Sequence, residues 1–252
     1  MLYRFMPEFI FNRFFGNRRL YGNLLKDNDP EWRMWLTKYS SFYEKTQRSG
    51  LGKLVNNEGY KVLNYIDFKE KNVVEIGPGS LDHISYWKNK PKKFYAIDIS
   101  EDFLIKAKTK LHEHSICCET ILTIRNNNLI PIKSNSIDIF ISFYSLEHIL
   151  ELDKYLNEVK RIAKPGALFI GAIPAEGGFL YGLGRYLTTR RFAYKKLNIN
   201  YDKIICWEHP NFADQIITKL DKVFTREKVN FFPFNLFTDI SLVIKFIYKI
   251  TK

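Results

Sequence analysis

The segment that decides the fold is Val73-Val74-Glu75-Ile76-Gly77-Pro78-Gly79-Ser80, an apolar run that leads directly into a Gly-x-Gly turn. Such a run predicts a buried strand. Glycines in the turn let the backbone approach a ligand closely, because a Cβ would occupy that space. In parallel sheets ligands bind at the carboxyl ends of the strands, where this turn lies. An ordinary tight turn between a strand and a helix is the alternative interpretation.

The chain on the C-terminal side of this turn continues to alternate between strand and helix patterns. Further strands are predicted at residues 94–99, 120–124, 137–143 and 167–173. This alternation is typical of a parallel sheet with helices on both faces. Two last strands, at residues 226–232 and 241–248, are joined by a link too short for a crossover helix, so we expect them to be antiparallel.

The chain on the N-terminal side of the turn is predicted to be helical. Asp29 and Pro30 suit an N-cap and a first helical position. Apolar residues at helical spacing follow from Trp32. We therefore predict a helical cap over residues 1–66 and a main domain over residues 67–252, with an insertion at about 174–210.

Composition limits the class of protein. The chain has 252 residues, 46% of them hydrophobic, and a net charge of +12. That content is sufficient for a full core and excludes a disordered chain. The three cysteines, Cys117, Cys118 and Cys206, form neither a disulfide framework nor a metal-binding spacing. The apolar runs are too short to span a membrane, and the N-terminus lacks the features of a secretory signal, so we expect a cytoplasmic protein without a metal.

An acidic residue, Asp98, ends the second predicted strand, 21 residues after Gly77. A carboxylate there can accept hydrogen bonds from both hydroxyls of a ribose. Capping of the next helix is the alternative role. Binding of NAD is disfavoured, because the third glycine of a dinucleotide fingerprint is replaced by Asp82, whose charge would repel a pyrophosphate.

Five ordered motifs resemble those of class I S-adenosylmethionine-dependent methyltransferases. They are Glu75-x-Gly77-x-Gly79, Asp98, and the segments 129–138, 145–149 and 159–167. The resemblance covers about residues 67–252. It implies a Rossmann-like α/β fold with a seven-stranded, mostly parallel sheet and an antiparallel final strand, and it implies S-adenosylmethionine as the cofactor.

The resemblance also implies roles for individual residues. Glu75 would support the amino-acid end of the cofactor, and Gly77 and Gly79 would make room for the methionine and the ribose. Asp98, followed by Ile99, would hold the ribose hydroxyls. The remaining predicted contacts are Asn126 at the adenine amino group, the backbone N–H of Asn127 at the adenine ring, and Ser142 and Phe143 at the methionine side.

Two positions depart from the pattern of the family. Many members have a third glycine where this chain has Leu81, which implies a wider turn and different packing of the helix after it. Asn126 stands where the family usually has Asp. An amide oxygen can still accept from an adenine amino group, so we expect weakened recognition. A non-catalytic scaffold with this fold therefore remains an alternative.

The catalytic residues depend on the acceptor, because an in-line methyl transfer needs a base only for a weakly acidic group such as a hydroxyl. His148 and His209 are the candidate bases, and His83 is a further one. His148 occurs in a turn that is common in the family, so a structural role is the alternative.

The insertion suggests what the acceptor is. Its candidate substrate-binding residues are Tyr181, Arg185, Arg190 and Arg191. Cations with tyrosines suit an anionic acceptor, although a solvated basic face is the alternative. The arrangement resembles bacterial methyltransferases of surface-glycan biosynthesis, which implies a sugar hydroxyl or a phosphate of a polysaccharide precursor. A small lipid or quinone-like acceptor and RNA remain alternatives. The segment Phe143-Tyr144-Ser145-Leu146 lacks the motif of enzymes that methylate DNA bases, so we do not expect DNA-base methylation. Nucleic acid is therefore a less favoured partner than a glycan, with RNA kept as the alternative.

The first 25 residues combine phenylalanines with arginines. Aromatic side chains can enter a membrane interface while arginines meet anionic headgroups, so this segment predicts a peripheral membrane contact. Packing of the same aromatics on the protein is the alternative.

Overall fold

The computed structural model describes residues 1–46, 50–124 and 129–252, and the side chains of all of these except residues 39–46, 50 and 51. The described chain divides into two compact units. The first unit comprises residues 1–58, 174–215 and 231–244, and the second comprises residues 59–173, 216–230 and 245–252.

In the described ranges the α-helices are α1 (Glu8–Phe15), α2 (Arg18–Tyr21), α3 (Pro30–Thr46), α4 (Gly50–Tyr60), α5 (Glu101–Glu113), α6 (Leu152–Ile162), α7 (Phe179–Arg185), α8 (Tyr201–Glu208) and α9 (Ala213–Val223). The strands are β1 (Asn72–Ile76), β2 (Lys93–Asp98), β3 (Cys118–Leu122), β4 (Ile137–Phe143), β5 (Ala163–Pro174), β6 (Thr225–Phe232) and β7 (Val243–Lys249). They form one seven-stranded sheet in the order β3-β2-β1-β4-β5-β7-β6.

The sheet confirms the predicted fold class. Strands β1 to β5 pair in parallel. Strand β7 runs antiparallel to β5, as the exchange of hydrogen bonds between Ile250 and the pair Gly166 and Ala167 shows. The central strands are buried on both faces, and Val73, Val74 and Phe140 have no exposed surface. Such continuous apolar burial is typical of parallel strands covered by helices.

The connection between β1 and β2 differs from the predicted strand–helix–strand pattern. Here the chain forms only a 3₁₀ turn, Ile84–Tyr86. The reason is local: the glycines and Pro78 occupy the start of this short connection, and Pro91 lies near its end. Leu81 and Asn89 also have positive φ angles, of 50° and 63°, and such residues interrupt a right-handed helix.

The first unit has a core of its own in which α3 and α8 contribute most of the side chains. Trp32, Trp35 and Trp207 are buried together, and Trp35 donates a 3.2 Å hydrogen bond from Nε1 to Glu208. The predicted start of α3 is confirmed, because Oδ1 of Asp29 accepts from the backbone N–H of Trp32. This contact satisfies one of the unpaired N–H groups at the helix start.

Candidate functional site

The turn after β1 needs glycine. Gly77 and Gly79 have positive φ angles of 67° and 51°. A Cβ on Gly77 would lie 2.3 Å from Oγ of Ser145, which is too close for any other residue. Ser145 in turn donates a 2.9 Å hydrogen bond to the carbonyl of Ile76. Ser145 thus joins the ends of β1 and β4, a link that the sequence analysis did not identify.

Leu81 adopts a backbone conformation that glycine usually takes. Its φ is 50°, and its side chain is completely buried. The left-handed conformation costs a residue with a side chain about 1–2 kcal/mol, whereas burial of a leucine contributes about 1.5–3 kcal/mol. Burial therefore offsets the strain, which explains how a leucine is accommodated at this position.

A chain of hydrogen bonds ends at the carboxylate of Glu75. Nε1 of Trp87 donates to Nδ1 of His83 at 2.9 Å. Because Nδ1 accepts, the ring proton of neutral His83 lies on Nε2, which donates to Oε1 of Glu75 at 2.7 Å. The second oxygen, Oε2, is buried and has no hydrogen-bond partner among the described residues. A buried carboxylate oxygen without a donor is costly, so this atom suits a ligand that donates hydrogen bonds.

Asp98 lies at the end of β2, beside this carboxylate. It is buried and accepts from the backbone N–H of Ser100 at 2.9 Å. Burial, assisted by the negative charge of Glu75, raises the pKa of Asp98 to about 6. The backbone N–H of Gly79 also donates to Asp98 and partly opposes this rise. The structure therefore brings Glu75, Asp98 and the glycine turn together, as predicted, whereas Ile99 is largely exposed.

The end of β4 carries the other predicted cofactor contacts. Ser142 is fully buried, and its hydroxyl has no hydrogen-bond partner among the described residues. Phe143 packs against His83, with ring centroids 5.1 Å apart. Tyr60, from α4, contacts Phe143 edge-to-face at 5.0 Å. The sequence carried no signal for Tyr60, because only the folded chain brings this side chain to Phe143. Asn126 and Asn127 lie outside the described residues.

His148 follows β4 in a 3₁₀ turn, Leu146–His148. Its imidazole is partly exposed, and its Nε2 lies 3.9 Å from Oε1 of the buried Glu147. It belongs to the same unit as the glycine turn and Asp98. The predicted location of His148, immediately after β4, is therefore what the structure shows.

His209, the other predicted base, lies in the first unit and is held by an acid. Its Nδ1 is 3.0 Å from Oε2 of Glu176, and Oε1 of Glu176 accepts from Arg185 at 2.5 Å. Burial alone would raise the pKa of Glu176, but Arg185 and His209 outweigh it and lower the pKa to about 2. The carboxylate is thus ionised and orients the imidazole. The sequence analysis gave no indication of this role for Glu176.

The predicted substrate-binding residues lie in different environments within the first unit. Arg185 is buried against Glu176, with its guanidinium 6.0 Å from the ring of Tyr181. Arg190 forms two hydrogen bonds to Asp202, at 2.6 and 2.7 Å. Arg191 is exposed. Two of the three arginine charges are therefore already paired within the protein.

Residues 74–171 match the family model of a methyltransferase domain. A ribosomal RNA small subunit methyltransferase A from Pelagibacter ubique (strain HTCC1062) is 32% identical over 78 residues, which is 31% of this chain and 27% of that protein. The matched part thus spans about a quarter of that relative.

Solved structures show the same fold. A SAM-dependent methyltransferase from Aquifex aeolicus is similar with a TM-score of 0.56 and 19% identity, over 84% of this chain and 98% of that chain. The CurJ carbon methyltransferase is similar with a TM-score of 0.60 and 13% identity, over 96% of this chain and 67% of that chain. This chain therefore shares the fold of these methyltransferases, and the match to the family model covers residues 74–171 of it. The predicted enzyme class and cofactor agree with these matches.

Proposed function

We propose that this chain is an S-adenosylmethionine-dependent methyltransferase that binds the cofactor at the carboxyl ends of β1, β2 and β4. The observation that carries this proposal is the pairing of two buried carboxylates, Glu75 and Asp98, beside the turn that contains Gly77 and Gly79. Like charges that are buried close together are costly unless a ligand donates to them. The cofactor carries such donors in its amino group and its two ribose hydroxyls.

The residues of the second unit fit the parts of this cofactor. Oε2 of Glu75, which has no partner among the described residues, would accept from the amino group. Asp98 would accept from the ribose hydroxyls, for which its ionised form is required. Ser142 and Phe143 would line the methionine side. The cofactor would supply a methyl group made electrophilic by the positively charged sulfur.

We propose His148 as the base when the acceptor is a hydroxyl. Its partly exposed imidazole would accept the proton of the acceptor hydroxyl, whose oxygen would receive the methyl group that the cofactor supplies. His209 is the second candidate. Because the Nδ1 proton of its neutral ring points at Glu176, Nε2 is the nitrogen that would accept a proton. Replacing each by asparagine and comparing pH–rate profiles distinguishes them, because only loss of the true base removes the acidic limb.

We propose that the acceptor is anionic, a hydroxyl-bearing or phosphate-bearing sugar of a glycan precursor. The net charge of +12 and the exposed cation Arg191 support an anion, whereas the paired Arg185 and Arg190 offer less support. The partial match to an RNA methyltransferase favours RNA as the second candidate. Transfer of labelled methyl groups to sugar phosphates, lipid-linked sugars and RNA tests these acceptors. Labelling of RNA alone would contradict the glycan proposal.

We also propose that the N-terminal segment contacts a membrane at its periphery. Phe5 and Phe9 are 87% and 72% exposed, and Arg13 is exposed between other basic residues. The remaining aromatics pack internally, as Phe15 does against Phe212 at 5.6 Å. None of the described helices has the length and hydropathy needed to cross a membrane.

A further inference from the structure

A cavity in the first unit lies beside the N-terminal segment. Its volume is about 340 Å³. It is lined by Arg18, Gly22, Asn23, Pro210, Phe212 and Gln215. A volume of this size is sufficient for a phosphorylated small molecule.

Arg18 supplies the positive charge of this cavity. Its Nη2 donates to the backbone carbonyl of His209 at 2.8 Å, and its guanidinium lies 4.4 Å from the ring centroid of Phe212. These contacts fix the side chain in place. Its Nε is buried without a hydrogen-bond partner among the described residues. No carboxylate in the described ranges lies within ion-pair distance of Arg18.

The charges around Arg18 do not balance. Glu176 acts electrostatically on both Arg18 and Arg185, but its oxygens contact Arg185 and His209. Nη2 of Arg185 is also buried and has no partner in the described part of the chain. Two largely buried guanidinium groups thus share one carboxylate. An excess positive charge in a partly desolvated environment is costly, and a bound anion would neutralise it.

Gln215 adds a neutral donor to the lining. Its Oε1 accepts from the backbone N–H of Phe212 at 2.8 Å. This contact fixes the orientation of the side-chain amide, so its NH₂ group can donate to a ligand. A guanidinium together with an amide NH₂ group is a combination that suits oxyanions.

We propose that this cavity binds the phosphate group of a phosphorylated ligand, with Arg18 as its charged donor and Gln215 as its neutral donor. This proposal does not rest on the proposed function, because the cofactor residues belong to the second unit and the cavity belongs to the first.

The test is a calorimetric titration of the full-length protein with inorganic phosphate and with pyrophosphate, at constant ionic strength set by chloride. The expected result is saturable binding that Arg18→Met weakens at least tenfold. Arg19→Met is the matched control, since Arg19 is the next residue and its side chain is 86% exposed. The phosphate affinity of Arg19→Met should stay within twofold of that of the unsubstituted protein.

Gln215→Glu provides a second variant that keeps an oxygen for the N–H of Phe212 but places a negative charge in the cavity. It should weaken phosphate binding at least tenfold with little effect on folding. An S-adenosylmethionine titration of the same samples separates the two proposals, because the cavity variants should leave cofactor affinity unchanged. Absence of phosphate binding, or equal binding by Arg18→Met and Arg19→Met, would overturn the assignment. Phosphate binding without cofactor binding would support the cavity and contradict the proposed function.

Discussion

Glu75 and His83 are joined by a 2.7 Å contact between Oε1 and Nε2, and their side chains are 1% and 2% exposed. Trp87 fixes the ring of His83 by donating to its other nitrogen. His83 therefore cannot easily act as a base, because both of its nitrogens are engaged in the protein. We propose that His83 positions one carboxylate oxygen of Glu75 and leaves the other for a ligand.

Replacing His83 by phenylalanine should weaken S-adenosylmethionine binding about tenfold, because the buried Glu75 then loses its donor and is no longer held in place. A tenfold change is about 1.4 kcal/mol, close to the smallest contribution of a hydrogen bond to a charged group. Glutamine at the same position can place an amide N–H near the site of Nε2 and should restore part of the affinity. His112→Phe, at an exposed position on α5, is the control. Equal affinity of the three variants for S-adenosylmethionine would show that His83 does not position Glu75.

Asp98 should oppose stability while it supports cofactor binding. Its raised pKa, about 6 against an ordinary 3.8, means that the folded state holds this proton more tightly than the unfolded state. Stability of the unliganded protein should therefore fall as pH rises from about 4 through about 6, by at most about 3 kcal/mol. Asp98→Asn should remove that loss and weaken cofactor binding at least tenfold.

Chemical denaturation at pH 4 and pH 7.5, together with cofactor titrations, checks these effects. Asp98→Asn should be more stable than the unsubstituted protein only at pH 7.5. Cofactor affinity of the unsubstituted protein should rise between pH 5 and pH 7, as Asp98 ionises, and the variant should lack this rise. A variant that binds the cofactor normally would contradict the placement of the ribose at Asp98.

Glu176 should be essential for the stability of the first unit. Glu176→Gln leaves Arg185 buried without its counter-charge, which should cost about 3–5 kcal/mol at neutral pH. The pKa of Glu176 is lowered to about 2 from 4.5, so its contribution is present above pH 4.5 and declines as pH falls toward 2. Denaturation of Glu176→Gln against Glu8→Gln, whose ion pair with Arg19 is exposed, measures the effect. A similar small change in both variants would mean that the buried pair adds no stability.

The two exposed phenylalanines should control membrane contact without affecting the core. Phe5→Ser together with Phe9→Ser should reduce co-sedimentation with vesicles of phosphatidylglycerol and phosphatidylcholine several-fold, because the apolar side chains that would enter the interface are lost. Leu36→Ser, at an exposed position on α3, is the control. Deleting residues 1–25 would be less informative, since it would remove the buried Phe15. Undiminished sedimentation of the double variant would exclude this membrane contact.

The sequence was sufficient to predict the sheet and the residues at the ends of its strands. The predicted bounds of β4, residues 137–143, are those that the structure shows, because a buried parallel strand is a continuous apolar run. The position of Asp98 could be predicted because the apolar run that forms β2 ends beside it. Both features follow from the local sequence, because a short apolar run determines where a strand lies and where it ends.

Contacts between distant residues could not be predicted in the same way. The pairing of Arg185 with Glu176 and of Arg190 with Asp202 depends on how the insertion folds back on itself. From the sequence alone, Arg185 and Arg190 were therefore predicted to be free to bind a substrate. The burial of Leu81 at a positive φ could not be predicted either, because no sequence pattern shows where packing offsets backbone strain.

The measurement that tests the central claim most directly is a calorimetric titration of the full chain with S-adenosylmethionine and S-adenosylhomocysteine, with NAD as the control ligand. The account predicts one-to-one micromolar binding of the first two ligands, their loss in Asp98→Ala, and no binding of NAD. Failure of the folded protein to bind either ligand would contradict the claim that Glu75, Asp98 and the glycine turn form a cofactor site, and would favour a non-catalytic scaffold.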